Sequence, residues 1–190
     1  MATQPKPVKA INGINVGDLL TTIDSIKAAP HRSKFKFRIH NEWVTGGFNR
    51  SLVSNFQGNG ETVGHKEVMV LEADEPEVLL GADKAVNPVE HLLHSLAACV
   101  TSTMVYHAAA RGIQVEEVES YIEGDIDIRG FLGLDENVPK GYQAIRMNFK
   151  IRADVPDKQL QEICQLGYRY SPVFNSITRG VPVSVTAERG

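Results

Sequence analysis

Residues 87–112 read NPVEHLLHSLAACVTSTMVYHAAARG, and this stretch decides the fold. Asn87-Pro88 is a helix start: a capping side chain, then proline at the first helical position, where its missing N–H costs nothing. Arg111-Gly112 is a helix stop, a cation at the negative end of the macrodipole followed by a glycine that tolerates a left-handed backbone. The segment between them is about 24 residues, roughly 36 Å of helix at 1.5 Å per residue. Its run LLHSLAACVTSTMVYHAAA is nearly apolar, which predicts a buried helix at the centre of the fold. Ser95, Ala97, Ala98 and Ser102 are small enough to admit another element closely.

On the N-terminal side the first twelve residues read as a loose arm, and NVGDLLTTIDSIKAAP places Val16, Leu19, Leu20, Ile23 and Ile26 at helical spacing, so a short helix is expected at 16–28. From Ser33 the period falls to two. KFKFRIHNEWV alternates Phe35, Phe37 and Ile39 with Lys34, Lys36, Arg38 and His40, the pattern of a half-buried strand. Gly46-Gly47 turns the chain, FNRSLVSNF is the hairpin partner, QGNGETVG a second turn and HKEVMVLEAD a third strand. EPEVLLGADKAV is less regular and is expected to hold a short edge segment.

On the C-terminal side VEEVESYIEGDIDIRG and YQAIRMNFKIRADV are two long β segments joined by FLGLDENVPKG, one acidic and one basic, and such strands pair favourably. PDKQLQEICQLGYRYSP is helical from Pro156, a second short helix starts at Ser171-Pro172, and GVPVSVTAE is expected as a closing strand. Strands are grouped rather than alternating with helices, which argues α+β rather than a doubly wound parallel sheet. The expected organisation is an arm with a short helix at 1–32 and one domain at 33–190.

The bulk properties exclude more than they identify. The chain has 190 residues, a net charge of −3 and scattered basic residues, so neither nucleic acid nor an anionic membrane surface is an expected partner. No apolar run reaches the length of a membrane span, and MATQPKPVKAINGINVGDLL carries no secretory h-region, which points to the cytoplasm. Two cysteines in a reducing compartment are free thiols or a redox pair before they are a structural staple.

Among chemistry-bearing residues, Cys99 lies midway along the apolar helix with Ser95, Leu92 and Ser102 or Thr103 as its neighbours on that face, none of them basic. A reactive thiolate there needs a cation from elsewhere in the fold; without one the residue is a packed core thiol. His91 and His94 are three apart on one helical face and His107 follows on the same helix, but no third ligand sits at a diagnostic spacing, and no metal is expected. Cys99 and Cys164 lack a CxxC spacing, and neither GxGxxG, GxxxxGK[ST] nor GxSxG occurs, so no cofactor is expected. Asp74 with the EPE run, and the acids of 116–127, read as solvated faces.

The residues LEADEPEVLLGADKAVNPVEHLLHSLAAC, the long helix and the later SPVFNSITRGVPV together resemble the OsmC/Ohr superfamily from about Trp43 to Glu188, most closely over 81–112. The resemblance implies an α+β fold, an intertwined homodimer with its sites at the subunit interface, and reduction of organic hydroperoxides with an external thiol as reductant. Cys99 stands at the position of the attacking cysteine. The resolving-cysteine position is Ser171, which cannot form a disulfide. The glutamate that follows the proline in the family is Val89 here, with Glu90 beside it but turned about 100° around the helix. Arg50, next to the TGG turn, is the candidate for the activating arginine, with Arg38 as fallback; Leu79 occupies the region where OsmC-like members carry theirs. Cys164 precedes Ser171 by seven residues, near 10 Å on a continuous helix, beyond the roughly 7 Å Cα separation of bonded cysteines unless Gly167 and Pro172 break the helix. Two readings lead, a Cys99 thiol peroxidase or a non-catalytic dimeric scaffold binding a small apolar ligand at its interface, and a metal-binding protein using His91 and His94 is a third and weaker one.

Overall fold

The computed structural model describes residues 10–190; residues 1–9 of the expected arm lie outside the described residues. The chain opens on a hairpin of β1 (Ala10–Ile11) and β2 (Ile14–Asn15), followed by helix α1 (Val16–Ala28). Asn12 and Gly13, both at positive φ, form the two-residue turn, the Asn-Gly chemistry that a tight hairpin demands. The Asn12 side chain donates to the Ile113 carbonyl (3.0 Å) and accepts from the Val115 N–H (2.8 Å), and Ile11 is buried. The arm is therefore tied down from Ala10 onward, not loose.

Strands β3 (Phe35–Phe37), β4 (His40–Thr45), β5 (Phe48–Gly58) and β6 (Glu61–Ala73) form an antiparallel sheet. Both β3 and β4 pair with successive parts of β5, and β6 pairs with its other side. The second turn is only Asn59-Gly60, both at positive φ, so β5 and β6 extend through the expected glycine-rich loop. The alternation in β3 is real but the burial is not: Phe35, Phe37 and Ile39 remain exposed. Phe35, Phe37, Phe56 and His65 instead stack on one another with centroids 5.4–6.2 Å apart. Residues 76–86 hold a 3-10 turn at Glu77–Leu79 and no strand.

Helix α2 (Pro88–Ala110) starts and ends where its caps require. It leads into β7 (Val115–Asp125), short helix α3 (Ile128–Phe131), β8 (Ala144–Ala153), α4 (Asp157–Tyr170) and α5 (Pro172–Arg179). β7 and β8 pair antiparallel, and the expected charge complementarity is realised: Arg146 binds Glu123 and Asp125, and Arg152 binds Glu116 and Glu117. The core of this part joins Met104 and Ala108 of α2 with Ile113 and Ile163, backed by Val118, Phe149 and Ile151. Gly167 permits the approach of α4 to α2, since a Cβ there would stand 3.0 Å from the Met104 Cβ and 3.1 Å from the Val100 carbonyl oxygen.

Two further expectations are corrected. Residues 180–190 form no strand; Pro182 has no N–H to donate, the segment pairs with no described strand, and Val181, Val183 and Val185 stay exposed. α2 is not buried all round. Leu96, Val100, Met104 and Ala108 form one covered stripe at a spacing of four, while His94, Ser95, Ala98, Ser102 and Tyr106 are exposed. A nearly apolar helix predicts burial only if its own chain supplies cover on every side, and here it does so on one.

The chain divides into two compact units, residues 10–14 with Leu93–Gly190 and Asn15–Leu92. The first holds the β7–β8 sheet under α2 and α4; the second holds α1 and the β3–β6 sheet. The result is α+β, with antiparallel sheets and helices. Among the described residues no helix is long and apolar enough to cross a membrane.

Candidate functional site

The start of α2 is fixed by a reciprocal cap. Asn87 Oδ1 accepts from the Val89 N–H at 2.9 Å, and the Glu90 carboxylate accepts from the Asn87 N–H at 3.1 Å. This is the capping box, with the acid three residues after the cap. Glu90 is thus engaged by the backbone of its own helix. Asn87 is anchored in turn by its amide, which donates to Glu75 at 2.6 Å.

Cys99 lies three turns into α2 as a free thiol, half-buried, on the border between the covered stripe and the exposed face. Its carbonyl accepts two side-chain hydroxyls besides its place in the helix, Ser102 Oγ at 3.2 Å and Thr103 Oγ1 at 2.7 Å. Arg50 projects from β5 as a forked donor to Glu72 on β6, with Nε at 3.0 Å and Nη2 at 2.7 Å from one carboxylate oxygen. The pair is half-exposed. The carboxylate that orients Arg50 is therefore its cross-strand neighbour Glu72. Arg38, the fallback, reaches only Gln57 at 3.5 Å.

Ser171 is fully buried and caps α5, its hydroxyl accepting from the Phe174 N–H at 3.2 Å. Cys164 is a second free thiol, on α4, and α4 runs unbroken from Asp157 to Tyr170. Gly167 makes no break there; it serves the contact with α2. Burial pushes the Cys164 thiol pKa up, which disfavours its thiolate.

Of the histidines, His91 Nε2 bonds the Glu72 carbonyl at 2.9 Å, whereas His94 is exposed. His107 stacks on Tyr170 with centroids 4.9 Å apart, and Arg111 lies 3.3 Å from its Nδ1. Burial first, and the Arg111 charge second, lower the His107 pKa. Among the described residues no group of three His, Cys, Asp or Glu side chains could hold a metal ion.

The exposed side of α2 carries an open hollow of about 430 Å³, mostly apolar. Its lining residues include Ala98, Thr101, Ser102, Val105 and His94 of α2 and Ile14 of the arm hairpin. Ala98 and Ser102 adjoin Cys99 on the helix surface.

Asp74, expected at the surface, is buried instead. Its carboxylate accepts the N–H groups of Glu75 (2.9 Å), Ala82 (3.2 Å) and Lys84 (3.2 Å). Burial alone would raise its pKa, but the three amides and the Lys84 charge hold it below the usual carboxylate value. No local pattern marks this role, because two of its partners lie eight and ten residues downstream.

Residues 81–186 match the OsmC family, described as OsmC-like protein. Among curated proteins none matches the chain in sequence. Solved structures share its fold. An OsmC-like protein from Mycoplasma pneumoniae aligns with a TM-score of 0.58 at 18% identity, over 77% of this chain and 89% of that one. An organic hydroperoxide resistance protein OsmC from Legionella pneumophila gives 0.52 at 19%, over 76% and 90%. A putative osmotic stress induced and detoxification response protein from Psychrobacter arcticus gives 0.53 at 13%, over 73% and 85%. With the match spanning more than half of its length, including Cys99 and Ser171, the chain belongs to the OsmC-like protein family.

Proposed function

We propose that this protein is a cytoplasmic, homodimeric thiol peroxidase that reduces organic hydroperoxides through Cys99. One observation carries the reading: a free, half-buried thiol stands on α2 inside the segment matched to the family. The Cys99 thiolate attacks the terminal peroxide oxygen and the O–O bond breaks. The alkoxide leaves as an alcohol after taking a proton, and sulfur, oxidised by two electrons, becomes a sulfenic acid. With serine at position 171, an external thiol condenses with the sulfenic acid and releases water, and a second external thiol restores the free cysteine. Arg50 is the residue proposed to favour the thiolate, held by Glu72. The dimer is supported by the apolar surface each chain leaves open, on β3–β6 and along α2.

The second reading, a scaffold that binds a small apolar ligand at the interface, is favoured by the duties of three candidate residues. Arg50 is paired, Glu90 caps α2 and Ser171 caps α5. The deciding experiment exposes the protein to cumene hydroperoxide with a sulfenic-acid trap, and follows peroxide consumption with dithiothreitol as reductant. A trapped adduct on Cys99 together with turnover is expected. An unmodified Cys99 and no turnover would sink the enzyme and leave the scaffold.

A further inference from the structure

The outer face of the β7–β8 ribbon is a ladder of opposed charges with one rung left open. Alternation along the two strands turns Val118, Phe149 and Ile151 toward the core beneath α2 and α4, so the intervening residues face outward. Toward one end of that face Arg152 Nη2 lies 2.8 Å from Glu117, and toward the other Arg146 Nε lies 2.6 Å from Glu123. Between these closed rungs Glu119 stands directly opposite Lys150, yet neither side chain makes a hydrogen bond or ion pair among the described residues. The closed rungs use arginine, whose planar fork is organised in advance for a carboxylate. Lysine is a point charge on a flexible stem, and an exposed pair of that kind gains little by closing.

At the open rung the surface is hollowed. A cavity of about 420 Å³ is lined by Glu119, Ser120 and Tyr121 of β7 and by Asn148 and Lys150 of β8, a size suited to a small molecule. The Tyr121 ring, 66% exposed, gives it a flat apolar wall. The Asn148 amide, also without a partner among the described residues, adds both donors and an acceptor. The hollow therefore presents one anion, one cation, a neutral amide and an aromatic face.

That set selects a ligand by its chemistry. A simple anion that approaches Lys150 also meets Glu119, and a simple cation that approaches Glu119 also meets Lys150, so each is opposed as well as attracted. A molecule carrying both charges satisfies the two groups together. Cβ atoms of directly opposed residues in a sheet lie about 4.5–5.5 Å apart, which suits an ammonium and a carboxylate borne on one carbon better than the distant termini of a peptide. We propose that this hollow is a binding site for a free α-amino acid. Its ammonium donates to Glu119, its carboxylate accepts from Lys150 and from the Asn148 amide, and its side chain lies on the Tyr121 ring. None of these residues has a part in the peroxide chemistry proposed above, so the site is independent of Cys99.

The test uses the full chain and three probes that share one ring: phenylalanine with both charges, phenethylamine with the ammonium alone and 3-phenylpropionate with the carboxylate alone. In proton–nitrogen correlation NMR, phenylalanine is expected to shift the amides of 119–121 and 148–150 saturably. The two single-charge probes are expected to bind at least about tenfold more weakly, since each leaves one charged partner unmet. Equal binding of all three, shifts confined to other residues, or no shift at any soluble concentration of phenylalanine overturns the proposal. As a second readout, Glu119→Gln and Lys150→Met alter exposed side chains and so are compatible with folding, which circular dichroism checks. Each is expected to weaken phenylalanine binding at least about tenfold. Unchanged affinity in either folded variant overturns the assigned charge contacts and the site with them.

Discussion

The two cysteines of this chain both ride on helices of the same compact unit, and they illustrate how differently one residue type can be placed. Cys99 stands at the edge of the covered stripe of α2, next to a face that its own chain leaves open. Cys164 follows Ile163, a fully buried residue of α4, and burial disfavours its thiolate. Sequence neighbours hardly separate them, since both follow an apolar residue on an otherwise helical pattern. What separates them is which side of the helix the rest of the molecule covers.

The strongest way to break this contrast is to exchange serine for each thiol. Cys99→Ser is expected to lower hydroperoxide turnover about a thousandfold or more, and Cys164→Ser to leave it within about twofold. The reverse result would make Cys164 the working thiol. Gly167→Val tests what keeps Cys164 in its place. The added side chain meets Met104 and Val100, so α4 must move off α2, at a cost of about 1–3 kcal/mol in urea unfolding. Alkylation of Cys164 should quicken in the same variant; unchanged labelling would show that helix contact does not protect it.

Arg50→Met sharpens the contrast from the other side. If Arg50 favours the Cys99 thiolate, alkylation of Cys99 slows by about tenfold and that of Cys164 does not change. Equal rates for Cys99 in both proteins would return Arg50 to a purely cross-strand role with Glu72.

The smallest effect is the response to acid. His107 has a lowered pKa in the folded chain, so the folded state binds its proton less readily than the unfolded chain does. Its contribution is complete above about pH 6.5, the unperturbed histidine value, and fades as pH falls below that toward the folded value. Asp74 is likewise lowered, and its contribution is present above about pH 3.9 and fades as pH falls through its folded value. A proton NMR titration of the His107 ring, run beside acid unfolding, should show the His107–Tyr170 stack loosening well before the loop held by Asp74. Simultaneous loss would join the two sites into one cooperative event.

Much of this architecture is written locally. Asn87, Pro88 and Glu90 mark the start of α2, Gly112 its end, and the alternation of 144–153 its strand, because caps and side-chain periodicity act within a few residues. Asn12, Asp74 and Gly167 escaped for the opposite reason. Each acts on groups that no pattern near it reveals: Asn12 on Ile113 and Val115, Asp74 on amides up to ten residues away, Gly167 on the backbone of another helix. The closing strand expected at the C-terminus failed because alternation states a readiness to pair, and the described chain offers Val181, Val183 and Val185 no edge to pair with.

The candidate site divides along the same line. Residue identity alone determined that position 171 cannot resolve a sulfenic acid by disulfide formation and that position 89 brings no carboxylate. It also determined the α+β class, the caps and the position of Cys99 along its helix. Only the tertiary structure decided that Glu72 holds Arg50, that Ser171 is a buried cap and that one side of α2 remains open beside the thiol. The physical reason is range: propensity, capping and periodicity are settled within a turn or two of helix or a few residues of strand. Burial and pairing depend on which distant surface arrives to exclude water, and a linear pattern does not name that surface.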